Sequence, residues 1–159
     1  MTQSTQSQLS SFIDRIGADG AAMPIADAEA ALREGEALHR DFRPDIAGDY
    51  VAYMQRMAGE GAGLTQLVDE GEVRAIAVWR SFLTTYCGRR FEIDDLVTAK
   101  EQRSKGYGAR MMRALEARAK SLSCNAILLS SATHRTGAHR FYLRERFAIV
   151  SFLFAKPVR

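Results

Sequence analysis

The residues with the clearest chemical potential lie between Leu96 and Ala109. There the run Arg103-Ser104-Lys105-Gly106-Tyr107-Gly108 interleaves two cations with two glycines. Glycine lacks the Cβ that blocks close approach, so consecutive backbone N–H groups can converge on one ligand. Behind the run, Met111, Met112, Leu115, Ala119 and Leu122 recur at helical spacing, with Arg110, Arg113, Glu116 and Lys120 on the opposite face. That is the pattern of an amphipathic helix packed on a sheet. A helix starting near Gly108 would direct its free N–H groups and the positive end of its dipole into the space occupied by Arg103 and Lys105. Binding of an anion of about the size of a diphosphate is the chemistry this suits.

The stretch before the loop supplies carboxylates. Alternation along 91–98 puts Phe91, Ile93 and Val97 on one face of a strand and Glu92, Asp94, Leu96 and Thr98 on the other. Glu92, Asp94 or Asp95 could attract a cationic amine and take its proton, directly or through water. They could equally be solvated strand residues or partners of Arg89 and Arg90. The shared face with Leu96 and Thr98 favours Glu92 and Asp94 over Asp95. His134 and His139 are alternative bases by residue type, although His139 falls on the last helix and reads as structural or solvent-facing. Cys124 opens a strand and reads as core.

These residues need a scaffold, and the rest of the chain can be read as one. Leu64–Val68 reads as a strand, 69–72 as its turn, and Val73 to Arg80 as a second, longer strand, with 87–90 closing the next hairpin. Ala126–Leu129 is a continuous apolar run, consistent with a parallel strand covered on both faces. The resulting strand-helix-strand unit is expected to be right-handed, with its loop at the carboxyl end of the first strand, where open α/β sheets bind ligands. A last helix is expected from about Thr136 to Arg146 and a final strand over Ala148–Ala155. Towards the N-terminus, residues 1–11 are rich in Ser, Gln and Thr and read as a disordered tail. Phe12, Ile13 and Ile16 form a short amphipathic element, and no convincing first strand is found there. Helices are expected over 26–40, starting at Pro24 or Asp27, and over 49–57, where Tyr50, Tyr53 and Met54 read as a core stripe or as acceptor contacts.

Composition bounds the function. At 159 residues, 47% hydrophobic and 26% charged, the chain suits one globular domain over 12–159 after the tail. No apolar run approaches the roughly 20 residues of a membrane span, and the polar N-terminus has no signal-peptide pattern, so a cytoplasmic protein is expected. Two cysteines far apart in sequence read as reduced thiols without metal-ligand spacing. The net charge of +3 comes from 22 basic and 19 acidic residues that are interspersed, which argues against nucleic acid. A P-loop G-x-x-x-x-G-K-[ST] and a dinucleotide-binding G-x-G-x-x-G are both absent.

R-S-K-G-Y-G resembles the R/Q-x-x-G-x-G/A signature of the Gcn5-related N-acetyltransferase (GNAT) superfamily. Asp95-Leu96-Val97-Thr98 stands where that family's central strand precedes the loop, and Arg135 to Tyr142, with Phe147, resembles its late A-x-x-F-Y-x-x-x-G-F segment. The resemblance covers roughly residues 72–156. It implies an α/β (α+β) GNAT fold, a mixed central sheet of about six to seven strands flanked by about four helices. It implies acetyl-CoA as co-substrate, with the pyrophosphate on Arg103, Ser104, Lys105, Gly106, Tyr107, Gly108 and Ala109, and the pantetheine arm along Leu96, Val97 and Thr98. The main chain at Leu96 and Thr98 would hold that arm, and an N–H there can stabilise the tetrahedral oxyanion. Tyr142 matches the tyrosine that protonates the departing thiolate, leaving Glu92 or Asp94 as base. The implied reaction is direct attack on acetyl-CoA, in a ternary complex, by a primary amine of a small molecule or protein. An acyl-CoA-binding module without turnover is the alternative. A homodimer is compatible with the resemblance; nucleic-acid and membrane partners are not expected. Two departures stand out: Arg146 replaces the usual Gly before Phe147, so the turn there is expected to be made differently, and the segment 130–137 lacks the Asn that contacts pantetheine, for which Ser130, Thr133 or Thr136 would have to substitute.

Overall fold

Two aspartates set where the first helices begin. Asp27 caps helix α1 (Ala28–Phe42) by accepting from the N–H groups of Glu29 and Ala30, and Asp49 caps α2 (Tyr50–Gly59) by accepting from Ala52 N–H. The computed structural model of the chain describes residues 9–158 and divides into two compact units, residues 1–128 and residues 129–159. A mixed sheet runs in the order β2-β1-β3-β4-β5-β6. Its strands are β1 (Ile13–Gly17), β2 (Ala22–Met23), β3 (Ala62–Asp69), β4 (Glu72–Thr84), β5 (Gly88–Thr98) and β6 (Ala126–Leu129). β1 runs parallel to β3, while β1–β2, β3–β4 and β4–β5 are antiparallel. Helix α3 (Tyr107–Ser121) follows β5, and α4 (Thr136–Arg144) follows β6.

The sheet is covered on both faces. On one, α1 and α2 bury Leu32, Tyr50, Val51 and Met54 against Leu64, Ile76, Val78 and Val97. On the other, α3 packs on β4 and β5 and buries Met111, Met112 and Leu115. There Trp79 stacks on Phe91 with ring centroids 4.9 Å apart, and the Arg118 guanidinium lies over the Trp79 ring. Gly35 lies mid-helix because α1 approaches the sheet too closely for a side chain: a Cβ there would sit 2.5 Å from Gln66 Nε2 and 2.9 Å from Ile76 Cδ1. The buried Gln66 amide in turn donates to Ala31 O and accepts from Arg15, which satisfies a polar group that would otherwise be costly to bury.

Several expectations are corrected. A first strand does exist, β1, although only Ile13 and Ile16 of its five residues are buried; its partner β3 lies about 50 residues on, and the three-residue spacing of its isoleucines imitates a helix. The disordered tail expected over 1–11 lies mainly outside the described residues; within them Leu9 is helical and belongs to the core, 1% exposed. Helix α3 starts at Tyr107 rather than Gly108.

The largest correction concerns β5. Val78 pairs with Asp95 but Trp79 pairs with Ile93, so Asp94 is an extra residue, a β-bulge. A bulge shifts the alternation by one residue. Phe91 and Ile93 therefore face α3, whereas Val97 faces α1 and α2 with its partner Ile76. Leu96 and Thr98, opposite Ala77 and Ala75, do not share a face with Glu92 and Asp94.

In the second unit, α4 ends as expected of a Schellman turn, with Phe147 N–H bonded to Tyr142 O at 3.0 Å and Arg146 N–H to Leu143 O at 3.1 Å. Arg146 takes the left-handed φ of +67° itself, so the turn is not made differently; a non-glycine simply occupies the strained position. Beyond it the expected strand over Ala148–Ala155 is not formed, and none of the described residues after Arg144 lies in a helix or strand. Strand propensity describes side chains that fit a pleated surface, and it does not supply the neighbouring main chain that a strand needs.

Candidate active site

From Thr98 the chain passes through a single 3₁₀ turn, Lys100–Gln102, into the loop 103–106. Ser104 and Gly106 both have positive φ, +64° and +85°, and these reversals turn successive N–H groups towards one side. Gly106 is the N-cap of α3, and no side chain caps the helix. The first intrahelical bond is Arg110 N–H to Gly106 O, which leaves the N–H groups of Tyr107, Gly108 and Ala109 without intrahelical partners. A Cβ at Gly106 would meet nothing within 4 Å, so the approach is open. Arg103 and Lys105 are exposed beside it, Lys105 resting on Gln102 Oε1 at 2.8 Å. Free main-chain donors, a helix dipole and two cations together fit a diphosphate. Gly106 supplies the backbone reversal, whereas Gly108 is already helical. The Tyr107 side chain points inward and donates to Asp69 Oδ2 at 2.6 Å. That bond, reinforced by burial, raises the hydroxyl above its ordinary pKa; it ties the start of α3 to β3, and of Tyr107 only the N–H remains for a ligand.

The end of β5 offers main chain. On one side Ala99 N–H donates to Arg74 O, and by alternation the main chain of Val97, opposite Ile76, also faces β4. On the other, β6 has four residues against eleven in β5, and its approach is registered by Asn125 N–H donating to Arg89 O at 2.7 Å. Four residues span only about 13 Å. From a start opposite Arg89 they end well short of Leu96, so the outward N–H and C=O groups of Leu96 and Thr98 lie beyond the reach of β6. An extended amide-bearing ligand can pair there as a strand would.

The bulge collects the carboxylates on the α1/α2 face. Asp94 Oδ2 lies 2.7 Å from Arg80 Nε. Glu92 Oε2 lies 2.7 Å from an Arg90 nitrogen, yet without hydrogen-bond geometry. Burial raises the Glu92 pKa; Arg90 opposes the rise and Asp94 adds to it. Asp95 is the best partnered. Its carboxylate accepts from His39 Nε2 at 3.1 Å and Arg43 Nε at 2.7 Å. Burial works to raise its pKa, but the His39 and Arg43 hydrogen bonds outweigh that and hold it below the usual carboxylate value. His39, 1% exposed, reaches Tyr50 Oη through Nδ1 at 2.9 Å. The imidazole thus bridges the Asp95 carboxylate and the Tyr50 hydroxyl. Burial pushes the Tyr50 hydroxyl pKa upward.

Tyr50 and Met54 are fully buried, so their core reading holds and neither reaches an acceptor. The Tyr50–His39–Asp95–Arg43 chain was not read from the sequence. Its one local signal is His39 on the buried stripe of α1, after Leu32 and Gly35. In the second unit, Tyr142 stands on α4 with its ring 5.4 Å from Phe141 and 5.8 Å from Phe147. His139 Nε2 lies 3.0 Å from Ala132 O, a local structural bond. Both cysteines are free thiols, Cys124 Sγ lying 3.3 Å from Ser81 Oγ. Among the described residues no cluster of side chains could hold a metal ion, and no helix is long and apolar enough to cross a membrane.

The site is thus an open strand end leading into an uncapped helix start, within a mixed α/β sheet. Residues 31–147 match the model of the acetyltransferase (GNAT) family. The chain is 34% identical over 115 residues to the uncharacterized N-acetyltransferase YhdJ of Bacillus subtilis (strain 168), a match covering 69% of this chain and 81% of that one. It therefore belongs to the GNAT acetyltransferase family and is an enzyme, an N-acetyltransferase. Solved structures agree in fold. A putative acetyltransferase from Agrobacterium tumefaciens str. C58 superposes with a TM-score of 0.70 at 20% identity, covering 81% of this chain and 94% of its own. AAC(6')-Iy in complex with a bisubstrate analogue, CoA-S-monomethyl-acetylneamine, superposes with a TM-score of 0.73 at 11% identity, covering 82% and 93%.

Proposed function

We propose that the protein transfers the acetyl group of acetyl-CoA to a primary amine of a small molecule or protein, by direct attack within a ternary complex. The observation that carries this is the continuity of the open end of β5 with the uncapped start of α3: main-chain groups for an extended amide arm lead straight into donors for a diphosphate. In this reading Leu96 and Thr98, on either side of Val97, hold the pantetheine arm, and an N–H there stabilises the developing oxyanion. Arg103, Ser104, Lys105, Gly106, Tyr107, Gly108 and Ala109 hold the pyrophosphate, Tyr107 through its main chain alone. The co-substrate supplies the activated acyl group; the chain's residues orient it and move protons.

Glu92 and Asp94 are the proposed bases. The raised pKa of Glu92 suits a group that must take a proton near neutrality, and Asp94, bulged out of the ladder and paired with Arg80, can draw in a cationic amine. Tyr142 is the proposed acid for the departing thiolate. CoA complexes of the structural relative above support the choice of co-substrate.

Thermal unfolding with acetyl-CoA, CoA and ATP titrated separately tests the co-substrate. At about a hundredfold over Kd a ligand adds roughly 2.7 kcal/mol, a rise of roughly 5 to 10 °C for a chain of this size. A saturating rise with both CoA species but not ATP is expected; none with either would overturn the reading. Turnover on an amine panel then tests the roles. Tyr142→Phe and Glu92→Gln or Asp94→Asn are expected to lower kcat while leaving the CoA-induced rise unchanged.

A further inference from the structure

Asp69 is out of place by charge. The loop 103–106 and the start of α3 gather donors and cations for an anion, yet this half-buried carboxylate ends β3 with its Oδ2 2.6 Å from the Tyr107 hydroxyl. A negative charge so close works against anion binding, so its position calls for a geometric reason. Asp69 pairs with Glu72 across a tight reversal at Glu70 and Gly71, both of positive φ, +52° and +76°. The largely buried Arg74 side chain braces that reversal by pairing with Glu72 and, at 3.3 Å, with Glu70. This hairpin end holds the anion loop at both of its ends. Arg74 O accepts Ala99 N–H at 3.0 Å, just after β5 stops, and Asp69 accepts the Tyr107 O–H where α3 starts. Residues 100–106, with left-handed positions at Ser104 and Gly106, are strung between these two bonds.

The apolar grip of α3 on the sheet, through Met111, Met112 and Leu115, begins beyond the N–H groups of Tyr107, Gly108 and Ala109. The direction of the first turn is therefore left to the Tyr107 side chain, which is 7% exposed and carries the Arg110 guanidinium 5.2 Å from its ring centroid. The Asp69 bond, and then burial, raise the hydroxyl above its ordinary pKa, so it remains a donor at neutral pH. We propose that Asp69 is a positioning residue for the co-substrate: through Tyr107 it aims the open N–H groups at the start of α3 towards the diphosphate, and it touches no ligand itself. The inference rests on acetyl-CoA being the co-substrate, as proposed above.

Calorimetry with CoA on the full chain and on Asp69→Ala, Asp69→Asn and Tyr107→Phe, beside hydrogen exchange of the ligand-free proteins, tests the proposal. Asp69→Ala is expected to weaken CoA binding about tenfold, the worth of one hydrogen bond to a charged group. Asp69→Asn keeps an acceptor for the hydroxyl and sheds the charge, so it should bind CoA at least as well as the unsubstituted protein. Tyr107→Phe keeps the ring but leaves the carboxylate charged and unpaired, and should weaken binding at least as much as Asp69→Ala. The two changes combined should cost no more than Tyr107→Phe alone. Without ligand, the amides of 104–109 should exchange faster in Asp69→Ala and Tyr107→Phe, while those of 111–119 keep their protection. Unchanged affinity in Asp69→Ala, or Asp69→Asn weakened as far as Asp69→Ala, would overturn the proposal and leave the co-substrate reading intact. So would exchange that quickens along all of α3, the mark of a merely structural bond. An unsubstituted protein that binds neither CoA nor acetyl-CoA would overturn that reading and the proposal with it.

Discussion

On either side of one bulge, β5 presents two kinds of surface. After the bulge, from Leu96 into the loop, the groups on offer are main-chain N–H and C=O that a short neighbour strand and an uncapped helix leave open. At the bulge itself, Glu92, Asp94 and Asp95 are side chains drawn among arginines and a buried histidine. The first surface is stabilised by nothing it would lose on binding an anion. In the second, Asp94 and Asp95 are already partnered, and Asp95 ties α1 to the sheet through His39 and Arg43. Damage to the first should therefore appear in ligand affinity, and damage to Asp95 and its partners in stability.

Asp95→Ala is expected to have the largest effect. It strands a buried histidine and removes a partner of Arg43, and breaking such a network costs about 3 kcal/mol, or roughly 6 to 12 °C in Tm for a chain of this size. Affinity for CoA, measured on the fraction that remains folded, should be unchanged. Tyr50→Phe is the gentler version, leaving Nδ1 of His39 without its hydrogen-bond partner at a cost of about 1 to 3 kcal/mol, read from the urea midpoint. A loss equal to that of Asp95→Ala would mean that the four residues act as one unit.

Gly106→Val reverses the pattern. A β-branched residue at positive φ costs about 1 to 2 kcal/mol of stability, but the affinity for CoA by calorimetry should fall at least about tenfold, because the N–H groups can no longer converge. Unchanged affinity would remove the loop from the site.

The smallest effects concern pH, and they have opposite signs. Asp95 ionises more readily in the folded state, so its contribution is fully present above the unfolded carboxylate value of about 3.9 and is lost as pH falls through the lower folded value. Glu92 ionises less readily when folded, through burial first. Its contribution is a penalty at neutral pH, relieved as pH falls through the raised folded value towards the unfolded one near 4.3. Urea midpoints against pH should show Glu92→Gln flattening the upper part of the acid profile and Asp95→Asn the lower part.

What could be read in advance follows the range of the interactions. The loop 103–108 was legible because its glycines, cations and helix are contiguous, and a helix start is a local event. The capped helices α1 and α2 were legible for the same reason. β1 was not, since five residues with two buried isoleucines become a strand only by pairing with β3. The segment 148–155 was over-read for the converse reason: its side chains suit a strand, but suitability alone does not form one.

By itself, then, the sequence determined the glycine-bearing turn, the helices with their caps and the family to which the chain belongs, because each rests on neighbouring residues and on propensities that act over a few positions. Tertiary structure alone decided which carboxylates face the helices, since the bulge at Asp94 exists only in register with β4. It also decided that His39, Tyr50, Asp95 and Arg43 meet, across as many as 56 positions. No local pattern encodes such a meeting; it follows from packing two helices over one face of a sheet.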